Sequence, residues 1–203
     1  MPQADFDKKL VIPGQGNSQG QIIKLEKKND KVSFLIAGTP HYVGKHWVGE
    51  DRPVICNRVA QEDPDAECEW CAKLDAGEEN PHARNKSYRP QMQFYYPIVN
   101  LADNKPAIFQ TGSLVHSTIK DNAEKGIDVF KSPWLVTRNE GDDPGKYYST
   151  LRLDPVEITP EIEQAKKDAA EFDLERLAGG GKESDSVVEA DKPSDADVDD
   201  IPF

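Results

Sequence analysis

Long apolar runs are what this sequence most lacks. No stretch approaches the length needed to cross a bilayer, and the first residues show no basic-then-apolar secretory pattern. Apolar residues make up 36% of the 203 and charged residues 31%, so much of the chain is expected at the surface or unfolded. The length suits one domain with appendages. Cysteine is scarce as well. Three residues, an odd number, do not make a disulfide framework, and the expectation is a cytoplasmic, reducing setting with thiols left over for metal.

Signatures of catalysis are missing too. There is no glycine-rich phosphate loop and no nucleophile elbow. Asp142-Asp143 falls in a turn and Glu78-Glu79 in an acidic loop, so neither makes a convincing acid/base pair. No His-x-Glu accompanies a Pro-Cys-x-x-Cys, which excludes the zinc-deaminase pattern. The expectation is a protein that binds rather than an enzyme, with a metal-dependent nucleic-acid enzyme as the weakest alternative.

Basic charge is the third deficit. Lys and Arg number 25 against 37 acids, for a net charge of -12, which on its face argues against a nucleic-acid partner. The distribution removes that objection. Residues 182–203 carry eight acids and two lysines, residues 161–178 six acids and three bases, and residues 61–79 eight acids and Lys73 alone. What remains, 1–60 with 80–160, has 19 basic and 15 acidic residues and is mildly basic.

The residues that are present read as mainly β. Residues 1–20 read as a flexible arm or a loosely packed first strand. Gln21–Leu25 and Val32–Ala37 are short strands joined by a turn at 27–30, and Gly38-Thr-Pro40 breaks the second. Tyr42–Val48 and Pro53–Cys56 form a hairpin; a turn centred on Asp51 sets His46 opposite Cys56. In Gln91–Asn100, alternation puts Met92, Phe94, Tyr96 and Ile98 on one face, with Gln93 and Tyr95 on the other. Pro106–Gln110 is a further strand and Leu114–Asn122 a short helix. Trp134–Arg138 and Lys146–Leu153 make the last hairpin, with Tyr147, Leu151 and Leu153 inward and Tyr148, Thr150 and Arg152 outward. A helix over 159–178 starts at Thr159-Pro160-Glu161 and ends at Gly179-Gly-Gly181; residues 179–203 are disordered by composition. The expected fold is a small OB-fold-like barrel over 21–158, with a metal-binding loop insertion at about 41–90.

All three cysteines fall within sixteen residues, as Cys56-x11-Cys68-x2-Cys71. Tetrahedral zinc takes thiolates and imidazole, and a pair two residues apart fits one tight knuckle. The fourth ligand is expected to be His46 from the hairpin register, with His41 and His82 as alternatives. A closed four-ligand site leaves no open position for a substrate water, so the Zn2+ is expected to be structural.

The chain ends in Asp195-Ala-Asp197-Val-Asp199-Asp200-Ile201-Pro202-Phe203, four carboxylates followed by an apolar tripeptide. This ending resembles the acidic Ile-Pro-Phe tip of bacterial and phage single-stranded DNA-binding proteins. In that family the tip recruits replication and repair partners such as polymerase, helicase/primase and recombination factors, which implies a partner-binding role for Asp197, Asp199, Asp200, Ile201, Pro202 and Phe203. The order His, Cys, Cys-x-x-Cys within a small β-rich body is similar to the zinc-containing single-stranded DNA-binding proteins of T-even bacteriophages, over about residues 40–155. That likeness implies an OB-type core with a zinc subdomain; the chain departs from it in having no basic, self-associating N-terminal arm.

Binding single strands without sequence preference needs cations along a groove and aromatic faces for bases. The residues that interleave in this way are Lys45 with Trp47; Arg84, Lys86, Tyr88 and Arg89; Tyr95; Lys131 with Trp134; Arg138; and Lys146, Tyr148 and Arg152, with core packing the favoured reading for Trp47 and Trp134. The expected function is passive coating of single-stranded DNA, and the competing expectation is a zinc-bearing interaction adaptor.

Overall fold

The computed structural model describes residues 21–49, 53–83, 85–139 and 147–178. The predicted arm, the acidic tail with its tip Asp197–Phe203, Arg84 and Lys146 all lie outside the described residues. The elements are β1 (Gln21–Ile23), β2 (Lys31–Ile36), β3 (His41–Trp47), β4 (Pro53–Ile55), α1 (Asn57–Ala60), α2 (Glu69–Asp75), β5 (Gln91–Asn100), β6 (Lys105–Gly112), α3 (Ser113–Glu124), β7 (Pro133–Arg138), β8 (Tyr148–Arg152), α4 (Pro160–Ala170) and α5 (Leu174–Ala178).

Strand β5 is the spine of the eight-stranded sheet, whose path is β1-β6-β5-β2-β7-β8, with β3 joined to β5 and β4 to β3. One edge of β5 takes β6 along its whole length, from Gln93 opposite Gly112 to Asn100 opposite Lys105. The other edge takes β2 and β3 in succession. Between the pairs Ile36–Ile98 and His41–Tyr95, five steps on one strand face three on the other, so the predicted break at Gly38-Thr39-Pro40 is a bulge in one long bent ribbon. Ala37 N–H still reaches Pro97 O at 2.8 Å across it.

The first two strands do not form a hairpin with each other. Both edges of β2 are occupied, by β5 and by β7. Strand β1 therefore crosses to the free edge of β6 and pairs there in parallel, Gln21 beside Ala107 and Ile23 beside Phe109. No pairing of β6 with β8 is present among the described residues, so the sheet is mixed and open.

Strand alternation divides the sheet into two faces. Val32, Phe34, Ile36, Phe94, Tyr96, Ile98, Ala107, Phe109, Trp134 and Val136 point to one, where α3 closes the core with Val115 and Ile119. The opposite face carries Leu35 and Val99 under α4 (Ile162, Ala165), and Val43, Tyr95 and Ile108 under α5 (Ala178). Helix α4 starts as the sequence dictates, with Pro160 in the first turn and the Thr159 hydroxyl accepting from Ile162 N–H at 3.3 Å. The single helix predicted over 159–178 is two. Asp173 Oδ1 accepts from Arg176 N–H at 3.0 Å, a side-chain cap that begins α5 afresh.

The face assignment of β8 is reversed from the prediction. Tyr148 packs against the core, its hydroxyl receiving a bond from Arg138 Nη1 at 3.1 Å, while Leu151 is 55% exposed. Strand β8 is an edge whose two faces carry almost equally mixed residues, so its own alternation holds little information about which side is inward.

Candidate metal centre

Strand β3 carries its odd and even residues to different faces. His46 and Gly44 continue the core face beyond Met92 and Phe94, whereas Lys45 and Val43 continue the helix-covered face. Across β4, His46 stands opposite Val54, and Cys56 N–H bonds Gly44 O at 2.8 Å. The predicted register with His46 opposite Cys56 is thus corrected by two residues. A slip of two keeps every side chain on its face, which is why the predicted pair still meets.

The cysteines sit where helices begin. Cys56 precedes α1 and Cys68 precedes α2, both with extended backbone, and Cys71 lies in the first turn of α2. Alpha1 can lie on β3 only because residue 44 has no side chain: a Cβ there would stand 2.7 Å from Val59 Cγ2 and 3.3 Å from Pro90 Cβ. The acidic loop is tied beneath the cluster by Asn57 Nδ2 donating to Glu67 O at 3.0 Å and Arg58 Nη1 to Asp75 at 2.8 Å. Val59 and Trp70 complete the small core around the three sulfurs.

The ligand atoms of His46, Cys56, Cys68 and Cys71 all lie within 4.8 Å of one another. Cys56 Sγ is 3.4 Å from Cys71 Sγ, and His46 Nε2 is 3.4 Å from Cys68 Sγ and 3.6 Å from Cys71 Sγ. Metal–ligand bonds of roughly 2.3 Å to sulfur and 2.0–2.1 Å to nitrogen imply tetrahedral edges of roughly 3.6–3.8 Å, so one small cation fits among these atoms. His46 Nδ1–H donates to Tyr88 O at 2.5 Å, which leaves Nε2 as the lone pair facing the sulfurs. Neither alternative histidine takes part. His41 rests its ring against Tyr42, and His82 is exposed, with its backbone N–H on Asn80 Oδ1.

Burial acts on the titration of three of these groups. Burial, with hydrogen bonds from Cys56 and Cys68, pushes the Cys71 thiol up to about 12. Burial also pushes Cys68 upward, but bonds from the backbone of Cys71 and Asn57 outweigh it and hold that thiol below its ordinary value. Burial lowers the pKa of His46 against the opposing pull of the Tyr88 carbonyl, so the ring is neutral, as a ligand must be. A divalent cation in the midst of the sulfurs would turn all three into thiolates.

The predicted DNA contacts scatter over the molecule. Tyr88 belongs to the Cys/His cluster: its carbonyl holds His46, and its ring stacks on Trp70 at 5.7 Å, with Lys73 Nζ 4.1 Å above the indole. A stacking role is not open to Trp134, which is fully buried and donates its indole N–H to Val129 O at 3.2 Å. Arg138 is a structural clamp, bonding Leu25 O at 3.0 Å. Lys86 pairs loosely with Glu79 at 3.7 Å and Lys131 with Asp128 at 3.4 Å, while Arg89 and Arg152 are exposed.

One group does converge. Lys45 Nζ donates to Tyr95 OH at 3.2 Å, Tyr95 OH donates to Gln93 Oε1, and Gln110 Nε2 donates to the same oxygen at 3.0 Å. Next to them Trp47 Nε1 donates to Gln91 Oε1 at 2.9 Å. Tyr95 itself is buried beneath α5, so the half-buried Trp47 offers the more accessible ring. Burial lowers the pKa of Lys45, and no carboxylate lies within ion-pair distance of it among the described residues. Sequence reasoning set Trp47 beside Lys45 but favoured core packing for it, and it missed the three glutamines; the common face of Gln91 and Gln93 was already legible in the alternation of β5. Comparison with known family models and with curated proteins gives no match, so this geometry stands by itself.

Proposed function

We propose that the chain is a zinc-stabilised protein that binds single-stranded DNA without sequence preference and without chemistry. Three thiolates and one imidazole at these separations suit zinc, held in a closed structural site. An OB-type body is supported by the strand path β6-β5-β2-β7-β8 with α3 between β6 and β7, although β1, not β8, covers the outer edge of β6. The acidic tip Asp197–Phe203 is then the segment that recruits replication, recombination and repair proteins.

The observation that carries this reading is Lys45. A half-buried ammonium with no carboxylate within ion-pair distance among the described residues is short of counter-charge there, and a backbone phosphate supplies one. Gln91, Gln93 and Gln110 line the same shelf, and Trp47 gives a base its stacking face. The shelf lies on the strand that carries His46, so metal binding at one face of β3 steadies the cation on the other.

A second reading has one observation in its favour. Helices α4 and α5 cover the larger part of the sheet face that the shelf belongs to, which suits a zinc-bearing adaptor that works through its acidic segments alone. Titration with oligo-dT separates the two. Coating predicts quenching of tryptophan fluorescence that weakens with salt, lost in Trp47→Phe, and Lys45→Ala should reduce the salt slope by about one. Absence of quenching in the unmodified protein sinks the DNA reading and leaves the adaptor.

A further inference from the structure

Burying a side-chain amide costs free energy unless each of its polar groups is bonded. Asn80 is wholly buried, and its bonds are accounted for. Its Nδ2 donates to Trp47 O at 2.7 Å and to Ser87 O at 3.3 Å, its Oδ1 accepts from His82 N–H at 2.9 Å, and its own N–H bonds Lys86 O. The two carbonyls it grips are telling. Trp47 follows the ligand His46, and Ser87 precedes Tyr88, whose carbonyl fixes the His46 ring. A closed circuit results: His46, Trp47, the Asn80 amide, Ser87, Tyr88 and back to His46 Nδ1.

We propose that Asn80 is a positioning residue of the metal centre, which sets the tautomer and direction of His46 by holding the strand and its orienting carbonyl at a fixed separation. The proposal rests on the Cys/His cluster being a metal site. Asn80 does not reach the metal. It acts through the imidazole of the ligand set, since its hydrogen bonds go to Trp47, Ser87, His82 and Lys86, whereas the sulfurs come from Cys56 and Cys68, which precede α1 and α2, and from Cys71 within α2. Partners of this kind are typically worth ten- to a hundredfold in metal affinity.

The test uses the full chain with cobalt and zinc alone. The unmodified protein is expected to take up one cobalt ion with the visible bands of a thiolate-rich tetrahedral site. Asn80→Asp keeps the size of the side chain and the acceptor for His82, but removes both donors and sets a carboxylate against two carbonyls. It should weaken zinc and cobalt binding about ten- to a hundredfold and shift the cobalt bands. In a His46→Cys background the fourth ligand has no second nitrogen to orient, so the same substitution should cost little. An undiminished loss in that background means ordinary structural support and overturns the proposal, as does no loss against His46. If the variants do not fold, side-chain amide exchange in the unmodified protein serves instead: Asn80 protons slow with zinc and fast after chelation support the circuit, and equal rates overturn it. Failure of the unmodified chain to bind any metal strikes at the metal centre itself, whereas binding with an unaltered Asn80→Asp strikes only at Asn80.

Discussion

Two regions of this molecule solve the same packing problem with opposite chemistry. Over the sheet, Phe34, Ile98, Phe109, Trp134 and Val136 exclude water by area alone. Between β3 and β5 the chain has no such supply. Residues 57–90 are largely polar, and their core is three cysteines, Val59 and Trp70. Such a lobe buries little apolar surface, and a metal bound among the sulfurs would contribute what side chains do not. The sheet is expected to survive without the metal, and the lobe to depend on it.

The largest expected effect follows. Chelation, or Cys71→Ser, should release the metal and open residues 57–87 to protease while the sheet stays folded. Binding energies of structural zinc sites run to about 10–16 kcal/mol, and one zinc per chain by elemental analysis, falling to none in the variant, is the check. Cooperative loss of the sheet along with the lobe would erase the distinction between the regions.

Trp134→Ala is the reciprocal break. Removing the fully buried indole should cost about 3–5 kcal/mol in chemical denaturation, with metal stoichiometry unchanged in the folded protein. Gly44→Ala acts at the joint. A methyl 2.7 Å from Val59 Cγ2 forces α1 off β3, so stability should fall by about 1–3 kcal/mol and zinc affinity should fall with it, read by chelator competition.

The smallest effect concerns the sheet alone. His116 stacks on Phe94 at 3.8 Å and bonds Tyr96 OH at 2.6 Å. Burial first, then Lys120, lowers its pKa from 6.5. The unfolded chain therefore binds this proton more readily, and stability is full above about pH 6.5 and declines as pH falls below it. His116→Gln should flatten that slope in pH-dependent denaturation without moving the zinc-release curve; an unchanged slope would remove His116 from the account.

The two regions also differed in how far they could be read from the chain. In the metal lobe the ligands were legible because the chemistry is local: Cys68 and Cys71 share one turn wherever that turn lies. The face of His46 was legible as well, since a period of two survives a register error of two. In the sheet, alternation at Met92, Phe94, Tyr96 and Ile98 gave the core strand outright. It failed at Tyr148 and Leu151, where an edge strand is pressed from one side only. Tyr88, with basic neighbours, looked solvent-facing and is instead buried against Trp70.

By itself, then, the sequence determined a β-rich chain, the pairing of Cys68 with Cys71 in one turn and the starting cap of α4, because each rests on contacts within a few residues. The tertiary structure alone decided that β1 runs parallel to β6, that Tyr95 lies beneath α5 and that Lys45 has no carboxylate within ion-pair distance among the described residues. Each of those depends on which distant edge was still free when hydrogen bonds closed the sheet, and a side-chain period carries no record of partners.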